Sequence, residues 1–118
     1  MNILLAEDEK TVAVAIEFAL RAHGHRIEVA VDGEKALARI CADPTIDLLV
    51  TDHNMPRMTG IELVRRAREC AFAGRILVLS AHLSAENRAA YTSMNVNEMM
   101  SKPFDVEALR SAIRTLAN

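Results

Sequence analysis

No stretch of this sequence stays apolar for the ~18 residues that a membrane-spanning helix needs, so no transmembrane segment is expected. A secretory signal is missing as well. The first residues run straight into a strand-like pattern, with no basic segment or cleavage site ahead of it. Cysteine is scarce, and Cys41 and Cys70 form neither a CxxC pair nor a disulfide framework. They are expected to be small, isolated core residues in a reducing, cytoplasmic compartment. A basic excess is also lacking: 14 basic and 16 acidic residues leave a net charge of −2, which argues against a nucleic-acid binder. The one basic run, Arg65 to Glu69, has no aromatic residue interleaved and reads as a solvated helix face. Repeats, low-complexity tracts and linker-like segments are absent too. Residues 1–118 are therefore expected to form a single domain with a real core.

What the chain does have is alternation. "NILLA" (2–6), "RIEVAV" (26–31), "DLLVT" (47–51), "RILVLS" (75–80) and "NEMMS" (97–101) read as short strands. The most apolar of them suit strands covered on both faces. Between them lie helical patterns. Val12, Ala15, Ile16, Ala19 and Leu20 form one stripe, and Val106, Leu109, Ile113 and Leu116 form another. Gly24 and Gly74 are expected to close the first and third helices, and Asn95 the fourth. Thr59 to Glu62 reads as a capping box, while Asp32 and Ser84 are expected to cap the second and fourth helices. Five strand–helix units with right-handed crossovers require an open parallel sheet with helices on both faces.

Ligands of such sheets bind beyond the carboxyl ends of the strands, where the strand order reverses. The order 2-1-3-4-5 is borrowed here from known open sheets, and it sets the first strand beside the third. Glu7 and Asp8 follow the first strand, Asp52 follows the third, Ser80 comes at the end of the fourth and Lys102 follows the fifth. These should converge on one crevice. Carboxylates ~5 Å apart repel by roughly 3 kcal/mol per pair at an effective dielectric near 20, more than one lysine can offset. Either one of them holds a proton or a divalent cation enters. Oxygen donors with an open side suit Mg²⁺, whereas Zn²⁺ would ask for Cys or His.

This constellation, ending in Lys102-Pro103-Phe104, resembles that of response-regulator receiver domains over the whole chain. The resemblance implies a flavodoxin-like (βα)5 three-layer sandwich. It implies that Asp52 accepts a phosphoryl group from a phosphohistidine donor, with Ser80 and Lys102 meeting the phosphoryl oxygens. It further implies Mg²⁺ held by Glu7, Asp8, Asp52 and the Asn54 carbonyl, and a cis Lys102–Pro103 bond. The implied partners are a sensor histidine kinase or histidine phosphotransfer protein and a downstream target or effector domain, met through the first helix or the face around the fourth. Direct contact with nucleic acid or membrane is not implied. Such a protein assists its own phosphorylation and dephosphorylation but is not an enzyme with a separate substrate. With no effector segment after the fifth helix, the chain is either a stand-alone receiver or one cut from a longer protein.

Some positions depart from the family pattern. Met99 stands where an aromatic ring is common, and Asn95-Val96 where Gly-Ala is common. The fourth helix offers mostly Ala89, Ala90 and Tyr91 to a core, so it should be the least anchored, and phosphorylation, acting through Ser80, is expected to shift the loop and this helix with little change at residue 99. His82 is expected to shield an acyl phosphate or to orient water near it, while His23 and His25 read as solvent-facing. Met94, Met99 and Met100 read as core fillers. The alternative function is a receiver-like interaction domain that works without phosphorylation. A flavodoxin-like cofactor binder fits poorly, because "AEDEK" is acidic where phosphate would need donors.

Overall fold

The computed structural model describes residues 1–117. Among them, strands and helices alternate: β1 (Asn2–Ala6), α1 (Lys10–Arg21), β2 (Arg26–Ala30), α2 (Gly33–Ala42), β3 (Leu48–Asp52), α3 (Gly60–Glu69), β4 (Arg75–Ser80), α4 (Ala85–Ser93), β5 (Glu98–Ser101) and α5 (Val106–Ala117). The strands pair in parallel in the order β2-β1-β3-β4-β5, as expected, so β2 and β5 are the edges. Among the described residues no helix is long and apolar enough to cross a membrane.

Strand pleating sends successive side chains to opposite faces. Ile3, Leu5, Leu48, Val50, Leu77 and Leu79 pack with Ala13, Ile16 and Leu20 of α1 and with Leu109, Ile113 and Leu116 of α5. Leu4, Ala6, Leu49, Ile76 and Val78 face the other way, onto α2, α3 and α4. All of β3 is buried, as the central strand should be. Each fully buried Leu or Ile in these layers contributes about 2 kcal/mol of transfer free energy. α4 is the exception: of its nine residues it buries Tyr91 alone.

Helix ends follow local chemistry, with some departures from expectation. Asp32, Thr59 and Ser84 accept from the amides of Lys35, Glu62 and Asn87. Half of the capping box is realised, because the Glu62 carboxylate pairs with Arg65 and Arg66. Gly24 and Asn95 take left-handed backbone as expected, but after α3 it is Ala71 (φ 68°) that does so. Gly74 serves close approach, since a Cβ there would meet the Phe72 ring and lie 2.7 Å from the Asp47 carbonyl. On α1, Val12 is half-buried and Ala15 exposed, while Ala13 is buried. Met94, Met99 and Met100 are half-buried against the two cores.

Two readings need correction. Cys41 and Cys70 are exposed and bonded to each other, with their Cα atoms 5.8 Å apart. α2 and α3 lie side by side on one face, which brings the last turn of one to the end of the other. Arg68 is not a solvated residue. Its guanidinium donates to the carbonyls of Phe72, Gly74, Met94 and Asn95, and so ties together the loops that follow α3 and α4.

Candidate functional site

Strand parity aims the acids. Glu7 lies two residues beyond Leu5 and Asp52 two beyond Val50, so both inherit the direction of the α1/α5 face. The Glu7 amide donates to the Ala30 carbonyl at 3.1 Å, which carries the β1–β2 ladder one step past the strand. Both residues are buried, at 1% and 5% exposure, while Asp8 is exposed at the rim. One carboxylate oxygen from each of Glu7, Asp8 and Asp52 falls within a mutual span of 4.8 Å. Carboxylates 44 positions apart in sequence thus meet at the switch between β1 and β3.

Lys102 reaches the same place from the end of β5. Its amide donates to the Ser80 carbonyl at 2.7 Å, and the Lys102–Pro103 peptide is cis. Its ammonium donates to Glu7 at 2.9 Å and lies 3.3 Å from Asp52. Burial and pairing pull against each other in both partners. In Glu7 burial dominates and holds the carboxyl above its ordinary range, despite Lys102 and the Glu9 amide; the Asp52 charge adds to the rise. In Lys102 burial would lower the value, but Glu7 and Asp52 together outweigh it and hold the ammonium above its usual range. The asymmetry follows from the charge count: one cation faces several anions.

Ser80 sits at the carboxyl end of β4, buried to 2% exposure. Its hydroxyl donates to the His82 carbonyl at 2.8 Å and accepts from the His82 amide at 3.2 Å. The structure therefore places Ser80 at the crevice but engages it with its own loop. His82 contributes backbone there, and the residue is exposed. Asn54 is exposed on the loop after β3. Arg57 on the same loop adopts a left-handed backbone (φ 70°) and sets its guanidinium 3.5 Å from Asp32. His23 is exposed, but His25 is half-buried and accepts from the terminal amine at 3.2 Å. Burial lowers the His25 pKa, helped by the charges of that amine and of His23.

His53 carries a contact that the sequence reading missed. Next to Asp52 it has the opposite parity and points to the face that α4 covers. Its Nδ1 lies 2.6 Å from the Tyr91 hydroxyl, and the Asn87 amide lies 3.3 Å from its Nε2. The rings meet edge to face, with centroids 5.6 Å apart. Burial pushes the imidazole pKa down, against the pull of Asp52. Burial also pushes the Tyr91 phenol up, with the Asp52 charge adding to it. Alternation along "TDHN" was the available signal for His53; its partner on α4 left no local trace.

In chemical terms the site is a set of hard oxygen donors, open on one side, with one half-buried ammonium against the most enclosed of them. Neither thiolate nor imidazole joins the carboxylate cluster, so the donors fit a hard divalent ion such as Mg²⁺.

The chain is similar to known proteins over nearly its whole length. The family model described as "Response regulator receiver domain" matches residues 3–114. The response regulator protein PmrA of Pseudomonas aeruginosa is 33% identical over 98% of this chain and 52% of its own length. The response regulator MprA of Mycobacterium avium is 35% identical over 98% of this chain and 50% of its own. The chain thus spans about half the length of these curated relatives. Among solved structures, the chemotaxis protein CheY4 of Vibrio cholerae superimposes with a TM-score of 0.90 at 27% identity, covering 98% of this chain and 97% of that one. The receiver domain of the Francisella response regulator 1452 gives 0.89 at 30% identity, covering 98% and 94%. Sheet order, the acids at the β1–β3 switch and the whole-length match agree: the chain belongs to the response regulator receiver domain family.

Proposed function

We propose that residues 1–118 are one receiver domain in which Asp52 takes a phosphoryl group from a phosphohistidine. The reading rests chiefly on Lys102, whose ammonium lies 3.3 Å from Asp52 and 2.9 Å from Glu7 within the carboxylate cluster. A carboxylate oxygen of Asp52 attacks phosphorus; the P–O bond forms as the P–N bond breaks, and the departing imidazole takes up a proton. Lys102 is already aimed at the nucleophile and can follow the new oxygens as Asp52 loses its own charge. Ser80 exchanges its bonds to His82 for one to a phosphoryl oxygen.

Glu7, Asp8, Asp52 and the Asn54 carbonyl would hold Mg²⁺. When bound, the ion supplies positive charge against the phosphoryl oxygens and relieves the repulsion among the acids. The chain acts on itself in both directions, accepting the group and later losing it to water, and turns over no separate substrate. The donor is a sensor histidine kinase or a histidine phosphotransfer protein. α1 supports a docking role, because Phe18 and Val14 on it are 76% and 55% exposed. The output is a protein target or an effector domain, and neither nucleic acid nor membrane is a direct ligand of this domain. Residence in the cytoplasm accords with this role, and in a reducing medium Cys41 and Cys70 would stand as thiols. The intact constellation weighs against the reading as an interaction domain that works without phosphorylation.

The test is incubation with Mg²⁺ and a small phosphodonor such as acetyl phosphate, followed by intact mass measurement. One phosphoryl group is expected on the wild type and none on Asp52→Ala. Labelling that survives in Asp52→Ala, or fails in the wild type with Mg²⁺ present, defeats the proposal.

A further inference from the structure

α4 is held to the rest of the molecule in an unusual way. Its residues Ala85, Glu86, Arg88, Ala89, Thr92 and Ser93 are exposed, and its single buried side chain, Tyr91, is fully enclosed. The polar end of that ring does not stop in the apolar core. It meets His53 Nδ1 at 2.6 Å, and one turn earlier on the same helix Asn87 reaches His53 Nε2 at 3.3 Å. An amide NH₂ can only donate, so Nε2 accepts and the ring proton sits on Nδ1, directed at the Tyr91 oxygen. A single neutral imidazole thereby satisfies both contacts. Burial that lowers the His53 pKa is consistent with that neutral form.

His53 is also tightly held on its backbone. Its N–H donates to the Leu79 carbonyl at 2.9 Å, and its carbonyl accepts from the Gly60 amide at 2.9 Å. Gly60 leaves room for the phenol: a Cβ there would lie 2.5 Å from the Tyr91 hydroxyl and 2.8 Å from the Asp52 carbonyl. The peptide that carries the Asp52 carboxylate to one face therefore carries the His53 imidazole to the other. A change that re-aims Asp52 turns the same peptide under a helix with no other buried anchor. Coupling of this kind needs an element whose placement is weakly determined, and α4 meets that condition.

We propose that the Tyr91–His53–Asn87 contact is the link through which the chemical state of Asp52 reaches α4. The proposal rests on Asp52 being the phosphoacceptor. Tyr91 and Asn87 act through His53 as positioning residues and touch no reacting atom. Met99, half-buried in the same core layer, offers no hydrogen bond to this network.

The experiment uses trifluoroberyllate, a stable mimic of the acyl phosphate, with Mg²⁺ on wild type, Tyr91→Phe and Asn87→Ala. Adduct formation is followed by fluorine NMR, and hydrogen exchange of residues 85–93 reads the helix. In the wild type, exchange in α4 should change by about fivefold or more on adduct formation. In Tyr91→Phe, which keeps the ring and loses only the hydroxyl, the change should fall below about twofold while the adduct still forms. Asn87→Ala, altered on the helix surface, should give an intermediate response. An α4 response in Tyr91→Phe equal to that of the wild type overturns the relay and leaves the phosphoacceptor reading standing. Absence of any adduct in the wild type overturns both.

Discussion

Lys102 and Glu7, 95 residues apart, share a hydrogen bond of 2.9 Å at the floor of the crevice. A half-buried ammonium on a buried carboxylate is stable only while both partners remain, because removing one strands the other's charge. Lys102→Met is therefore expected to lower unfolding free energy by about 3 kcal/mol at neutral pH without divalent ions. Urea denaturation measures it, and a loss under about 1 kcal/mol would place the pair in bulk-like solvent instead.

Glu7 also gives stability a pH dependence. Its folded pKa is raised above 4.5, so just above that pH the native state keeps a proton that the unfolded chain has released. Stability contributed at this site therefore falls as pH rises from 4.5 to the raised value. Glu7→Gln does not titrate. The difference in melting midpoint between Glu7→Gln and the wild type, without Mg²⁺, should shift in favour of the variant across that interval and then level off. A constant difference between pH about 4 and about 8 contradicts this.

Mg²⁺ should act in the opposite direction. An ion held only by the folded carboxylates stabilises by mass action, about 1.4 kcal/mol at ten times its dissociation constant. Thermal melts of the wild type should rise with millimolar Mg²⁺, while Asp8→Asn and Asp52→Asn should respond weakly or not at all. An equal rise in all three proteins would mean that the ion binds elsewhere.

The bond between Cys41 and Cys70 closes a loop with a sequence separation of 29. By chain entropy such a link is worth about 3 to 4 kcal/mol at most. Dithiothreitol should lower the melting midpoint of the wild type and leave Cys41→Ser unchanged. Because α2 and α3 are joined at the ends remote from Asp52, phosphoryl uptake should be the same in both redox forms.

Arg68→Ala removes a guanidinium that serves carbonyls on two loops, including those of Gly74 and Asn95. A loss of about 2 to 3 kcal/mol is expected, more than for the neighbouring Arg65→Ala, whose partner is the exposed-face Glu62. Equal losses at the two positions would show that the clamp contributes nothing special.

Features that depend on short-range pattern were readable from sequence. Ile3, Leu5, Leu48, Val50 and Leu77 lie in apolar runs because β1, β3 and β4 are buried on both faces, so the runs mark the middle of the sheet. The acids after β1 and β3 were legible because a parallel sheet gathers its carboxyl ends on one side. The weak anchoring of α4 was legible in its lack of large apolar residues. What escaped depends on which helices become neighbours. Cys41 and Cys70 each sit alone in an unremarkable helical stretch, and only the contact of α2 with α3 pairs them. Arg68 looks like Arg65 and Arg66 in sequence but lies on the side of α3 that meets the loop after α4. Ala71 took the left-handed position expected of Gly74, because α3 stops a few residues earlier than that glycine suggested.

The rims of the sheet carry one more consequence. Along β2 the outermost backbone is flanked by Arg26 and Glu28, both exposed, and β5 at the other rim has only four residues. Charged and very short borders discourage a foreign chain from lengthening the sheet. Recognition of this protein is thereby channelled to side chains on helices and loops, where a reversible chemical mark can alter it, and away from backbone pairing, which such a mark would scarcely touch.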